Sequence, residues 1–495
     1  MITRFRLLIS FLVVVCLSAT VTRSAQAQEI TIALGSEPTT LDPQVRQDGG
    51  ERAVNDNIYE TLIARTVKGE LVPGLAAAMP TQVNATTWRF KLRPNVKFHN
   101  GEPFNAESVV ATISRMLDPA LKSENLSYFN TLVKAEKVDD LTVDVYLKSP
   151  DSVFLSRMYW MKIIPAKYSA DGSFASKPVG TGPYKLVEWS RGERVVLSVN
   201  PDYWGGRPQI QKVTFKFVQE PGTRLSGLMA KEFDLITNLS PEFVKRVPKV
   251  AKVEGLEHPV IVLNAMSGLT GDVRVRQALN YAVDKKALAE KLFGGHARVD
   301  DGQVLSPTWF GYDPNLKAYP HDLVKAKQLL KEAGVAPGTS IELIGTSGRW
   351  LKDKETTEAV AAYWTEAGLN VDVKIFEFDN YLKRLFDRQT RPMAIYVSHA
   401  NPLLHADRTL SDYYLKTGRG SSNADDMLAE LVNKARGETD SGKQLGLYHQ
   451  AVKRGYDNAL FSYLVGIELL YGVNNRLDWV PGVDTRLLIK DMKLK

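Results

Sequence analysis

Apolar and polar residues alternate in short, separated runs along the first half of the chain and recur at helical spacing through much of the second. Ile30, Ile32 and Leu34 alternate with Thr31 and Ala33 until Pro38, which predicts a strand. Val54, Ile58, Leu62 and Ile63 share a helical face, which predicts a helix around residues 54–64. Trp88, Phe90 and Leu92 are interleaved with Arg89, Lys91 and Arg93, the pattern of a half-buried strand. His99-Asn100-Gly101 reads as a turn. Asn105 stands at the N-cap position of a helix carrying Val109, Val110, Ile113, Met116 and Leu117. Val143, Val145 and Leu147 give another strand, and residues 195–199 and 213–218 give two more, flanking turns at Asn200-Pro201-Asp202 and Gly205-Gly206.

Further along, the spacing predicts helices over 273–284, 323–333 and 354–367. The last two end near Gly334 and Gly368, a residue suited to a helix C-terminus. Strands over 341–344 and 371–376 bracket the third helix, and this succession indicates an α/β lobe. Helices over 427–436 and 445–456 and strands over 460–465 and 469–473 complete the chain. With 495 residues, about two to three domains are expected. No internal repeat, low-complexity tract or Gly/Ser-rich linker separates them. The chain is therefore expected to cross between lobes on structured segments, an arrangement suited to hinge motion around a ligand.

Composition changes the picture at the N-terminus. Arg4 and Arg6 precede residues 7–15, apolar except for Ser10, and Ala25-Gln26-Ala27 offers a small-x-small site. That order is a secretory signal peptide over residues 1–27, with an apolar core too short for a mature anchor. Cys16, the single cysteine, lies inside this core and follows Val15, where lipoprotein processing wants a small residue. It is read as part of the removed leader. The exported chain would carry no thiol, which avoids wrong disulfides in an oxidising compartment and excludes a cysteine nucleophile or Cys-based metal site. The net charge is +7, with Arg4, Arg6 and Arg23 in the leader. The remainder is mild, interspersed with acids, and has no basic run with interleaved aromatics, so nucleic-acid binding gets no support. No later segment approaches about 18 continuous apolar residues, and a soluble protein is expected.

Several ordered stretches resemble the family 5 extracellular solute-binding proteins of ABC importers, the dipeptide-, oligopeptide- and nickel-binding group. Residues 88–106, from Trp88-Arg89-Phe90 through His99-Asn100-Gly101 to Asn105-Ala106, look like the family signature. Pro178-Val179-Gly180-Thr181-Gly182-Pro183-Tyr184, residues 200–208 and residues 273–284 are further matches, in the family's order. Gly180 and Gly182 are not a phosphate loop, since Pro183 and a strand follow where a helix would be needed. The resemblance implies an α/β, periplasmic-binding-protein-like two-lobed clamp (type II, cluster C) with an extra small domain. The first lobe would comprise residues 28–66, 178–265 and 467–495, the second 266–466, and the small domain 67–177. It further implies a monomeric periplasmic protein, without cofactor, that hands a small molecule to ABC permease and ATPase subunits.

The resemblance also directs attention to particular residues. Peptide-binding relatives hold the ligand's ammonium with an aspartate in a late motif, because a buried ammonium needs a carboxylate. The matching stretch here is Tyr396-Val397-Ser398-His399-Ala400-Asn401-Pro402. Ser398 stands at the aspartate position and Asn401 replaces a second one, which disfavours a plain free-amine peptide unless Asp407 serves from a shifted loop. Tyr396, Ser398, His399 and Asn401 are candidate ligand contacts. So are Arg349, suited to a ligand carboxylate or phosphate, and Trp350, suited to stacking, against the alternatives of a solvated loop arginine and loop packing. Tyr159 and Trp160 are read as core. His399 and His405 invite a nickel or metal-chelate reading, but their spacing fits no one-face helical pair, and no metal ligand is assigned.

The ligand is expected to be peptide-like, a modified peptide or a conjugate, with sugars, opine-like conjugates and metal chelates also within the implied range. An exported hydrolase is the rival of another class. No His-Glu-x-x-His is present, and Gly345-Thr346-Ser347-Gly348 is followed by Arg349 where a nucleophile elbow needs glycine. No catalytic residue is assigned, and a binding protein, not an enzyme, is expected.

Overall fold

The structure, a computed structural model, describes residues 28–47, 49–168, 173–387 and 389–495. The expected leader over 1–27 lies outside the described residues. An eight-stranded sheet runs in the order Lys249–Glu254, Val465–Val473, Leu235–Ile236, Glu29–Leu34, Lys212–Phe217, Arg194–Val199, Tyr184–Ser190, with Ala297–Val299 added on Val465–Val473. Glu29–Leu34 is parallel to both neighbours, and the other pairs are antiparallel. Its core draws Ile32, Phe215, Leu235 and Tyr471 from distant parts of the chain.

A five-stranded sheet builds the second lobe in the order Asn370–Phe376, Ser340–Thr346, Ala394–Ala400, Glu257–Leu263, Phe461–Tyr463. Ser340–Thr346 is parallel to both neighbours, whereas Glu257–Leu263 is antiparallel to its own. Both faces are covered. Ile395 and Val397 enter one core and Ala394 and Tyr396 the other, following the two-residue period of a strand. A third, antiparallel sheet of Thr81–Asn84, Thr87–Lys91, Thr142–Leu147 and Leu132–Asp139 lies in the interval expected for the small domain. Helix Ala106–Leu117 packs its Val109, Ile113 and Met116 into the same core as Phe90, Val143 and Val145. Asn105 caps it, its side chain accepting from the Glu107 and Ser108 amides.

The chain leaves the first sheet after Glu254 and enters the second at Glu257, ahead of the boundary expected at residue 266. It returns at Leu464. The strand predicted over 460–465 is thus divided, with Phe461–Tyr463 in one sheet and Val465–Val473 in the other. The helix predicted around 54–64 is instead Gly49–Ile58, and Leu62 and Ile63 enter the small-domain core. The Ile58 carbonyl accepts from the Gly182 amide at 2.8 Å, so it is not available to continue the helix.

That contact explains why the recognised stretches are scaffold. The amide of His99 donates to the Gly180 carbonyl at 2.9 Å, and its Nε2 lies 3.0 Å from the Gly182 carbonyl. Glu60, just beyond the helix, accepts from Thr181, Tyr203 and Trp204 at 2.8–2.9 Å. Three of the four stretches therefore close on one turn. In the fourth, Asn280 donates to the Phe461 carbonyl and accepts from the Tyr463 amide, fixing its helix to the strand that leads into the crossing at Leu464.

Candidate functional site

A cavity of about 780 Å³ lies between the lobes. It is lined by the first crossing, Gly255-Leu256, and by Ile467 to Leu470 in the strand that follows the return at Leu464. The first lobe contributes Gln47, Arg52 and Asn238, and the small domain Asn125, Tyr128 and Trp160. The second lobe supplies the loop around Arg349-Trp350, one face of helix Phe378–Phe386, the end of strand Ala394–Ala400, and Arg408, Asp412 and Arg419. Apolar and aromatic side chains alternate with charged ones along its walls, from Arg52, Glu257 and Arg349 to Arg408, Asp412, Arg419 and Glu468.

The sequence-selected residues divide. Arg349 and Trp350 line the cleft. The Arg349 side chain is exposed, and its guanidinium carbon lies 5.1 Å from the Phe378 ring centre. Its loop is held by Asp353, whose carboxylate accepts from the backbone amides of Gly348, Arg349 and Trp350. Trp350 makes edge contacts with Phe378, Tyr381 and Tyr396 at 5.9–6.0 Å. Ser398 also lines the cleft, its Oγ donating to Glu257 Oε2 at 3.1 Å.

Tyr396 and Asn401 are not cleft residues. Tyr396 is fully buried in the second-lobe core against Trp350; it shares a strand face with Ser398 but lies two residues farther from the strand's cleft end. The Asn401 side chain is turned inward and donates to the His405 carbonyl and Thr409 Oγ1, tying its own loop. Asp407 does not serve in place of a cleft aspartate either. It is buried against Arg436 at 2.6 Å and Arg157 at 3.5 Å. His399 borders the cleft but is buried, with Nε2 3.0 Å from Thr409 Oγ1. His405 caps helix Ala406–Tyr413, Nδ1 accepting from the Asp407 amide, and its ring stacks on Phe310. The two imidazoles do not converge, and among the described residues no three His, Cys, Asp or Glu side chains gather for a metal.

Burial holds both imidazoles neutral, His399 well below its ordinary range and His405 down to about 4. A histidine whose folded pKa is depressed contributes stability above about pH 6.5 that is lost as pH falls toward the folded value. His405 alone should remove about 2 kcal/mol between pH 7.5 and 5. Urea unfolding at pH 7.5 and 5.0 checks this, and equal stability at the two values would contradict it.

Sequence reasoning missed several cleft groups. A carboxylate does stand in the cleft beside Ser398, that of Glu257 on the neighbouring strand, which the antiparallel register places opposite Ala400. Strand Glu257–Leu263 is not among the elements predicted above, because Pro259 to Leu263 is an unbroken apolar run without alternation. Trp160, read as core, is buried in the small-domain core and at the same time borders the cleft. It stacks on Tyr128 with centroids 5.8 Å apart, and the Arg52 guanidinium lies 4.7 Å from its ring centre. Arg408 pairs with Asp412 at 3.3 Å and lies over Tyr128. Burial raises the Asp412 carboxyl although Arg408 and Arg419 pull it down.

The lobes also touch beside the cleft. Arg65 donates to the carbonyls of Pro402 and Leu403, and the Leu403 side chain is buried in the small-domain core. Burial lowers the Arg65 guanidinium to about 10, opposed by Tyr159 and Asp484.

The description "Bacterial extracellular solute-binding proteins, family 5 Middle" matches residues 70–421. The chain belongs to this family. It is a substrate-binding component of an ABC transporter, and its mixed sheets form the periplasmic-binding-protein clamp. It is 31% identical to the glutathione-binding protein of Pectobacterium atrosepticum over 360 residues, 70% of this chain and 68% of that one. It is 28% identical to the dipeptide-binding protein of Escherichia coli over 480 residues, 89% of each. The solved structure of HbpA2 from Haemophilus parasuis superposes with a TM-score of 0.84 at 26% identity, covering 94% of this chain and 100% of that one. Members of the family bind small ligands and work with ABC permeases.

Proposed function

We propose that residues 1–27 are removed on export to the periplasm, and that the mature chain, as a monomer, captures a peptide-like or modified-peptide ligand in this cleft. Closure then presents the ligand to a membrane permease driven by separate ATPase subunits. With the chain crossing at residues 255–256 and 464, residues 28–66, 178–254 and 465–495 act as one lobe, 257–463 as the other, and 67–177 as the small domain. The observation that carries the ligand reading is the pairing of opposite charges in one cavity. Glu257 is steadied by Ser398, and Arg349, Arg408 and Arg419 share the same cleft among aromatic rings. A zwitterion bearing an ammonium and a carboxylate meets both needs. The relatives named for glutathione and dipeptide binding agree with this. Contacts reach the cleft from both lobes, so a ligand that fills it favours the closed form.

Native mass spectrometry of protein isolated without refolding tests the reading. A bound, chemically unchanged peptide-like mass is expected. Turnover of that molecule would favour a hydrolase, and a bound sugar would overturn the peptide-like assignment. Arg349→Ala should weaken binding at least tenfold, about 1.4 kcal/mol, while leaving the fold intact. Unchanged affinity by calorimetry removes Arg349 from the site.

A further inference from the structure

Helix Phe378–Phe386 forms an apolar floor in the cleft, with Phe378, Leu382, Leu385 and Phe386 lining the cavity. A guanidinium sits at each end of this floor. Arg349 lies over Phe378, and Arg419 lies over Phe386 with its guanidinium carbon 3.9 Å from the ring centre. Eight residues of α-helix separate the two rings, about 12 Å along the axis. Among the described residues neither guanidinium has a carboxylate within ion-pair distance, whereas Arg408 is paired with Asp412 and Arg52 with Asp56. Asp412 is the acid whose field reaches Arg419, and it is already engaged by Arg408. Attraction to a ring face holds a guanidinium in place while leaving its N–H donors free to fork onto an anion.

We infer that Arg419 on Phe386 forms a second anion subsite, and that the preferred ligand carries two carboxylates, one at each end of this apolar floor. The inference rests on the cleft being a peptide-like site and narrows it to acidic members of that class. A ligand with one carboxylate fills only the Arg349 end and leaves Arg419 to water. A ligand with two gains a charge-assisted contact at each end, and its reach must match the length of the helix.

Calorimetry on the full mature chain, freed of endogenous ligand, tests this with matched pairs differing by one carboxylate. Suitable pairs, long enough for both ends, are Glu-Gly-Gly against Gln-Gly-Gly, and glutathione against its glycine monoethyl ester. The acid of a pair should bind at least tenfold tighter, and R419Q should bring the acid to the level of its neutral partner. Arg419 is exposed, so this variant does not disturb the core. Equal affinities within every pair, or an acid preference that survives R419Q, overturn the inference while leaving the peptide-like reading standing. Failure of every probe of either charge to bind defeats that reading and the inference with it.

Discussion

Gly180→Ala is expected to cost the folded state about 3 kcal/mol, since overpacking against a fixed backbone has few ways to relax. A Cβ there would sit 2.1 Å from the Ile58 carbonyl oxygen and 2.8 Å from its carbon. Neither side can retreat easily. The same oxygen accepts the Gly182 amide, the Gly180 carbonyl accepts the His99 amide, and Glu60 two residues on holds Thr181, Tyr203 and Trp204. Urea unfolding should show a lower midpoint with an unchanged slope. Gly437, at the end of helix Asp426–Gly437, has nothing within 4 Å of its added Cβ and serves as the neutral control. Equal midpoints for Gly180→Ala and wild type would mean that the turn is not the tight junction described.

Glu257→Gln should weaken a free-amine ligand by roughly thirty- to a hundredfold, about 2–3 kcal/mol, the scale for losing the charged partner of a desolvated ion. The substitution keeps the side chain's size and an oxygen for Ser398 to donate to. The loss should therefore be confined to the ammonium. Calorimetry with a peptide and its N-acetylated form separates the cases, since the acetylated form has no ammonium to lose. An equal loss for both, or none, would show that Glu257 is not the ammonium's partner.

Much of the fold was legible because its strands and helices announce themselves locally. The alternation at Trp88, Phe90 and Leu92 and the cap at Asn105 are nearest-neighbour signals, and they persist in the structure. The helix ending at Ile58 was misjudged because what stops it is Gly182, far along the chain. The split at Leu464 was hidden for a related reason: both sides are apolar strands, and only their partners differ. The site was harder still. Arg349 and Trp350 were accessible through the family resemblance, but Glu257, Arg408 and Arg419 reach the cleft through strand register and loop path, which leave no periodic trace. Tyr396 and Ser398 share one face of their strand, but only its last residues, from Val397 to Ala400, reach the ligand space, so selecting residues 396–401 as a block mixed Ser398 with the buried Tyr396.

The eight-stranded sheet has its central strand, Glu29–Leu34, near the start of the chain and its longest strand, Val465–Val473, near the end. The five-stranded sheet is instead complete between Glu257 and Tyr463. During synthesis or translocation the second lobe can assemble as soon as its own residues emerge, while the first must keep its opening strand waiting for almost the whole chain. Pairings between such distant segments are slow to form. The lobe that carries both ends of the described chain therefore sets the pace of maturation, and its unpaired edges are what a holding chaperone would have to cover in the interval.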